Sequence, residues 1–118
     1  MLFAAGSSTD SAGGNTLSIV TDVAGNTAGS VALGIIGAAN PLGSLTISST
    51  GAVDGTLTLN GNVSTDAGNI DFSGISDVDL ATGAIALDSE TGGDQAAGNI
   101  VFSATSSIDG AQAFTVNA

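Results

Sequence analysis

Two near-copies of one hexapeptide constrain the fold of this chain more than any other feature. Gly68-Asn69-Ile70-Asp71-Phe72-Ser73 returns 30 residues later as Gly98-Asn99-Ile100-Val101-Phe102-Ser103. In both copies two large apolar residues stand two positions apart, the period of a strand with one buried face. Self-similarity at a period of about 20 to 50 residues marks a stacked or arrayed architecture. Weaker copies come earlier, as Gly43-Ser44-Leu45-Thr46-Ile47-Ser48 and Asn15-Thr16-Leu17-Ser18-Ile19-Val20. One strand position therefore recurs at about 17–20, 44–48, 69–73 and 99–103. Its inward pairs are Leu17/Ile19, Leu45/Ile47, Ile70/Phe72 and Ile100/Phe102.

A second position reads Val31-Ala32-Leu33, Leu57-Thr58-Leu59, Ile85-Ala86-Leu87 and Phe114-Thr115-Val116. A shorter third element sets one aliphatic residue beside an aspartate: Val53-Asp54, Val78-Asp79 and Ile108-Asp109, with Asp22-Val23 reversed in the first coil. That coil also carries an extra apolar pair, Ile35-Ile36, before the Asn40-Pro41 corner. One such coil cannot bury its own apolar face. Stacking the next about 4.8 Å away buries like on like and satisfies the backbone everywhere except at the ends. The expected fold is all-β, a parallel β-solenoid of about four coils of 25–30 residues. It forms a single segment, 1–118, with coils at about 14–43, 44–67, 68–97 and 98–118 and no capping elements. Met1 and Phe3 are expected to point inward like Phe114 and Val116, which would put both termini at the same phase of the coil.

Composition agrees. Eighteen glycines and one proline suit many tight corners, and 42% apolar residues set in regular pairs are enough for a core. No stretch has the 3.6-residue apolar period of a helix, and none has the eighteen or so consecutive apolar residues of a membrane-spanning helix. Cysteine is absent, so there is no disulfide framework and no thiol chemistry. Eleven acids stand against no lysine, arginine or histidine. Nothing neutralises phosphates, which argues against nucleic acid and against an anionic membrane surface. Met1 to Ala5 lacks the basic region of a signal peptide, so an export signal would lie outside this chain.

Segments such as Gly98-Asn99-Ile100-Val101-Phe102, Ile108-Asp109-Gly110 and Phe114-Thr115-Val116-Asn117-Ala118 resemble the β-strand repeats of large bacterial surface proteins of the filamentous-haemagglutinin and autotransporter type. The resemblance covers most of 14–118. It implies a right-handed parallel β-helix, secretion across an outer membrane to the cell surface, and a role in adhesion or surface architecture. That family's amino-terminal secretion domain and carboxy-terminal membrane barrel have no counterpart here, and its repeats share no catalytic motif to carry over.

Catalysis finds little to work with. Nucleophilic triads need a base such as histidine or lysine. Glycoside hydrolysis needs only two carboxylates, and Asp77 and Asp79 flank Val78 on one outward side. However, no Arg, Lys, His, Trp or Tyr is present to hold a sugar, so the expectation is a chain that is not an enzyme. Zinc lacks His and Cys ligands, whereas calcium takes oxygens. Two sets of acids are candidates for calcium. Asp88, Glu90 and Asp94 share a loop with Gly92-Gly93, and Asp54, Asp79 and Asp109 recur at the spacing of the main strand, so they are expected to stack as a column. The functional expectation is a structural or adhesive segment of a secreted or surface-exposed bacterial protein, touching flanking repeats or a host or surface ligand. The alternative is a subunit whose copies stack end to end into a filament.

Overall fold

A computed structural model of the chain describes residues 1–2, 8–10, 14–91 and 96–118. Among them there are fifteen strands and no helix. In chain order they are β1 (Ser8–Thr9), β2 (Thr16–Val20), β3 (Val23–Thr27), β4 (Val31–Leu33), β5 (Ile35–Ile36), β6 (Ser44–Ser48), β7 (Gly51–Val53), β8 (Thr56–Leu59), β9 (Val63–Ser64), β10 (Ile70–Gly74), β11 (Asp77–Leu80), β12 (Ile85–Asp88), β13 (Ile100–Phe102), β14 (Ser107–Asp109) and β15 (Phe114–Asn117). Every strand pairs in parallel with the strand one coil away. The result is a β-solenoid of about four turns walled by three sheets. The first runs β2-β6-β10-β13, the second β4-β8-β11-β14 and the third β1-β5-β9-β12-β15.

The first sheet matches the hexapeptide register. Leu17 lies on Leu45, Ile19 on Ile47, Leu45 on Ile70, Ile70 on Ile100 and Phe72 on Phe102. Between β6 and β10 the register slips, so that Phe72 and Ser73 together oppose Ile47, a β-bulge. The core is what the inward pairs predict: Leu45, Ile47, Ile70, Phe72, Leu33, Leu57, Leu59, Ile85 and Leu87 are all fully buried. Phe72, Phe102 and Phe114 stack edge to face at 5.8 and 6.4 Å, linking the first and third sheets across the interior. Burial fades at β13, β14 and β15, edge strands of the three sheets among the described residues. Ile108 is 41% exposed and Val116 49%, while Ile100, Phe102 and Phe114 are half-buried.

The phase of the other two elements differs from the sequence expectation. Leu57-Thr58-Leu59 does not stack under Ile85-Ala86-Leu87. It stacks under Val78-Asp79-Leu80, which in turn carries Ile108-Asp109. Ile85-Ala86-Leu87 and Phe114-Thr115-Val116 instead continue the column of Ile35-Ile36 and Val63-Ser64. The pair Ile35-Ile36, read as an extra, is therefore the regular third strand of its coil. The segments Asp22-Val23 and Val53-Asp54 belong to no wall. They fall at the start of β3 and the end of β7, which form a two-stranded ribbon outside the three sheets. The termini are also out of phase: Leu2 pairs with Ala32 on the second sheet, whereas β15 lies on the third. Met1 is exposed rather than inward, and Phe3 lies outside the described residues.

Corners are set by close approach. Gly14, Gly43, Gly68 and Gly98 form one column at the entry to the first sheet. A Cβ on any of the upper three would overlap the carbonyl oxygen of the glycine beneath. At the preceding corner the buried hydroxyls of Thr65 and Ser89 each donate to the carbonyl of the column glycine that follows, Gly68 and Gly98, both at 2.6 Å. Thr65 and Ser89 are thus paired, as a low-dielectric interior demands, whereas the buried Oγ1 of Thr91, whose N–H donates to the Thr65 carbonyl, has no hydrogen-bond partner among the described residues.

Candidate functional site

The outward face of the second sheet carries the densest polar chemistry. Strict alternation on β8, β11 and β14 turns Leu57, Val78 and Ile108 inward and Thr56/Thr58, Asp77/Asp79 and Ser107/Asp109 outward. Two adjacent columns result. In one, Thr56, Asp77 and Ser107 are successive rungs: Thr56 Oγ1 donates to Asp77 Oδ2 and Ser107 Oγ to Asp77 Oδ1, both at 3.0 Å. In the other, Ala32, Thr58, Asp79 and Asp109 follow one another. Carboxylate oxygens of Asp77, Asp79 and Asp109 all lie within 4.8 Å of one another, and both Asp79 and Asp109 are exposed.

Of the column expected from the sequence, Asp79 and Asp109 stack as read, but Asp54 does not join them. Thr58 occupies the rung beneath Asp79, and Asp54 sits beyond the ribbon, where its Oδ1 accepts the Gly51 N–H at 2.9 Å. The third acid is Asp77. Its signal was in the sequence as the Asp-Val-Asp alternation, which places both acids on one outward face. The loop candidates behave differently. Asp88 Oδ1 accepts from the Glu90 N–H at 2.9 Å and from Asn117 Nδ2 at 3.2 Å. Asp88 and Glu90 enter no group of three acids among the described residues, and Asp94 lies outside them.

Chemically, the triad offers hard oxygen donors on a rigid, solvated wall. Calcium takes six to eight such oxygens at about 2.3–2.6 Å, with water completing the shell. Asp77, whose two oxygens are already held by hydroxyls, is the oriented member; Asp79 and Asp109 are free to turn toward a cation. The triad carries three formal negative charges, and no lysine, arginine or histidine exists in the chain to offset them.

One acid elsewhere is held more tightly. Asp22 Oδ1 accepts the Thr50 N–H and the Ser48 hydroxyl, both at 2.8 Å. Those bonds, the backbone one foremost, hold its carboxyl below the usual aspartate range although it is open to solvent. Comparison of the chain with family models, curated proteins and solved structures finds no match.

Proposed function

We propose that the chain is a non-catalytic structural or adhesive segment of a secreted or surface-exposed bacterial protein. The observation that carries this reading is the division of labour along each wall strand. Inward residues stack on their counterparts to build the core, while most outward residues carry hydroxyl or carboxylate groups. Such a wall can be lengthened coil by coil and displays side chains at fixed spacing, which suits a spacer or a display surface. The likeness to filamentous-haemagglutinin and autotransporter repeats points the same way. Calcium, at the millimolar levels found outside cells, is the cation the Asp77, Asp79 and Asp109 triad would take.

In a spacer the number of coils is negotiable. In-frame removal of residues 44–67, one whole coil, should leave a chain that retains a β-rich circular dichroism spectrum and a cooperative melt. Loss of all cooperative structure would overturn the reading. A second reading is a subunit stacking end to end into a filament, since the parallel pairing that joins coil to coil, as between β12 and β15, could equally join chain to chain. Light scattering across a salt series separates the two, since a filament grows with salt and a passive segment stays monomeric.

A further inference from the structure

The three walls account for the core but not for the β3–β7 ribbon. All five residues of β3 are exposed, as are Ala52 and Val53 of β7. Val23 is 40% exposed and Val53 61% because each strand of the ribbon pairs only with the other, so that both outer edges of the ribbon are open. The ribbon stops at two strands because in the third coil the chain passes from β10 to β11 through Ile75 and Ser76 alone, leaving no strand to lie on β7. Over its first half lies an open concavity of about 430 Å³ floored by Val23, Ala24, Gly51 and Ala52, with Asp22 at its wall. Asp22 is anchored through Oδ1 by the Thr50 N–H and the Ser48 hydroxyl of the neighbouring coil, so its charge is fixed in place.

We propose that this ribbon is a docking ledge for an extended segment of another protein that presents lysine or arginine. The inference rests on the adhesive reading above and names the partner's chemistry. Small side chains on the floor let a second backbone approach closely, as in strand addition to a sheet edge. The aliphatic stem of a lysine or arginine lies along Val23, Ala24 and Ala52 while its cation meets the fixed carboxylate of Asp22. A second copy of this chain cannot be the occupant, because it has no lysine or arginine.

The test uses the whole chain at low ionic strength, with a fluorescent octapeptide of alternating lysine and valine and its glutamate–valine counterpart as probes in anisotropy titrations. The lysine peptide should bind and the glutamate peptide should not. Asp22→Asn, which keeps an acceptor for Thr50 and Ser48, should weaken binding about threefold to fivefold, the upper part of the range for one exposed ion pair. Asp71→Asn, on the outward face of the first sheet, should change it less than twofold. Amide shifts on titration should centre on Val23, Ala24, Gly51 and Ala52, a readout that needs no variant. Equal binding of the two peptides, equal weakening by Asp71→Asn, or shifts spread over the walls would each overturn the ledge. None of these would bear on whether the solenoid acts as a spacer, which the coil deletion tests separately.

Discussion

Single residues show where charge and backbone strain are held. Asp79 and Asp109 face each other on neighbouring rungs, and two like charges at that spacing repel by about 1 kcal/mol in water. Asp79→Asn should therefore raise stability by up to about 1 kcal/mol without calcium, and should abolish any rise in melting temperature that millimolar calcium brings. Asp54→Asn, tied only to Gly51, should leave the calcium response intact. Asp22 behaves oppositely. Its folded pKa lies below the unfolded value, so its contribution is complete above the ordinary aspartate range and is lost as pH falls through the folded value. Acid unfolding of Asp22→Asn should accordingly be less steep than that of the parent below about pH 4. Ala67 is the one non-glycine described with positive φ, 59°. Glycine takes that conformation without the Cβ clash, so Ala67→Gly should raise stability by about 0.5–1 kcal/mol in thermal melts, net of the entropy glycine adds to the unfolded chain. The acidic face was only partly legible in the sequence. Asp79 and Asp109 follow from their 30-residue spacing, but Val53-Asp54 and Val78-Asp79 are the same dipeptide in different places, and nothing local distinguishes a ribbon from a wall.

At the level of strands, alternation fixes which residues face inward but not which sheet they join. Ile70/Phe72 over Leu45/Ile47 was readable because the glycine and polar residues around the pair repeat as well. Leu57-Thr58-Leu59 and Ile85-Ala86-Leu87 have the same period and no such flanks, so they look like one column although they belong to two sheets. The ribbon compounds this. It adds β3 and β7 to the first two coils only, with two extra residues in β3 around Gly25 at φ 73°, and so shifts the spacing on which the coils would otherwise align. Paired substitutions separate the two assignments. Val78→Asp places an unpaired charge in the core and should cost at least about 3 kcal/mol, whereas Val53→Asp on the exposed ribbon should stay within about 0.5 kcal/mol. In the first sheet, Phe72→Asp should abolish folding, Ile100→Asp at the half-buried last rung should cost less, and Thr46→Asp on the outward side should be tolerated. Urea denaturation followed by circular dichroism checks all five. Equal damage from Val78→Asp and Val53→Asp would refute the observed phase.

The whole molecule is a polyanion of formal charge −11 without a single basic side chain. Added salt can screen repulsion here without weakening any side-chain ion pair, so the melting temperature should rise steadily from about 0.01 to 0.5 M sodium chloride. A flat or falling curve would show that the charges are already neutralised by something bound. The stacking of coils has a further, mechanical consequence. All wall strands run across the stack and their ladder hydrogen bonds run along it. A pull on the two ends along that axis therefore does not load every rung at once. It opens the outermost coil first, then the next, and each coil released lengthens the tether by about 80 to 105 Å at the reach of an extended chain. A force applied along the strands would meet the rungs of a whole wall together and should be resisted far longer. The same molecule is thus compliant in one direction and stiff in the other. Repeated stretching in a single-molecule instrument should show a sawtooth whose teeth are one coil apart.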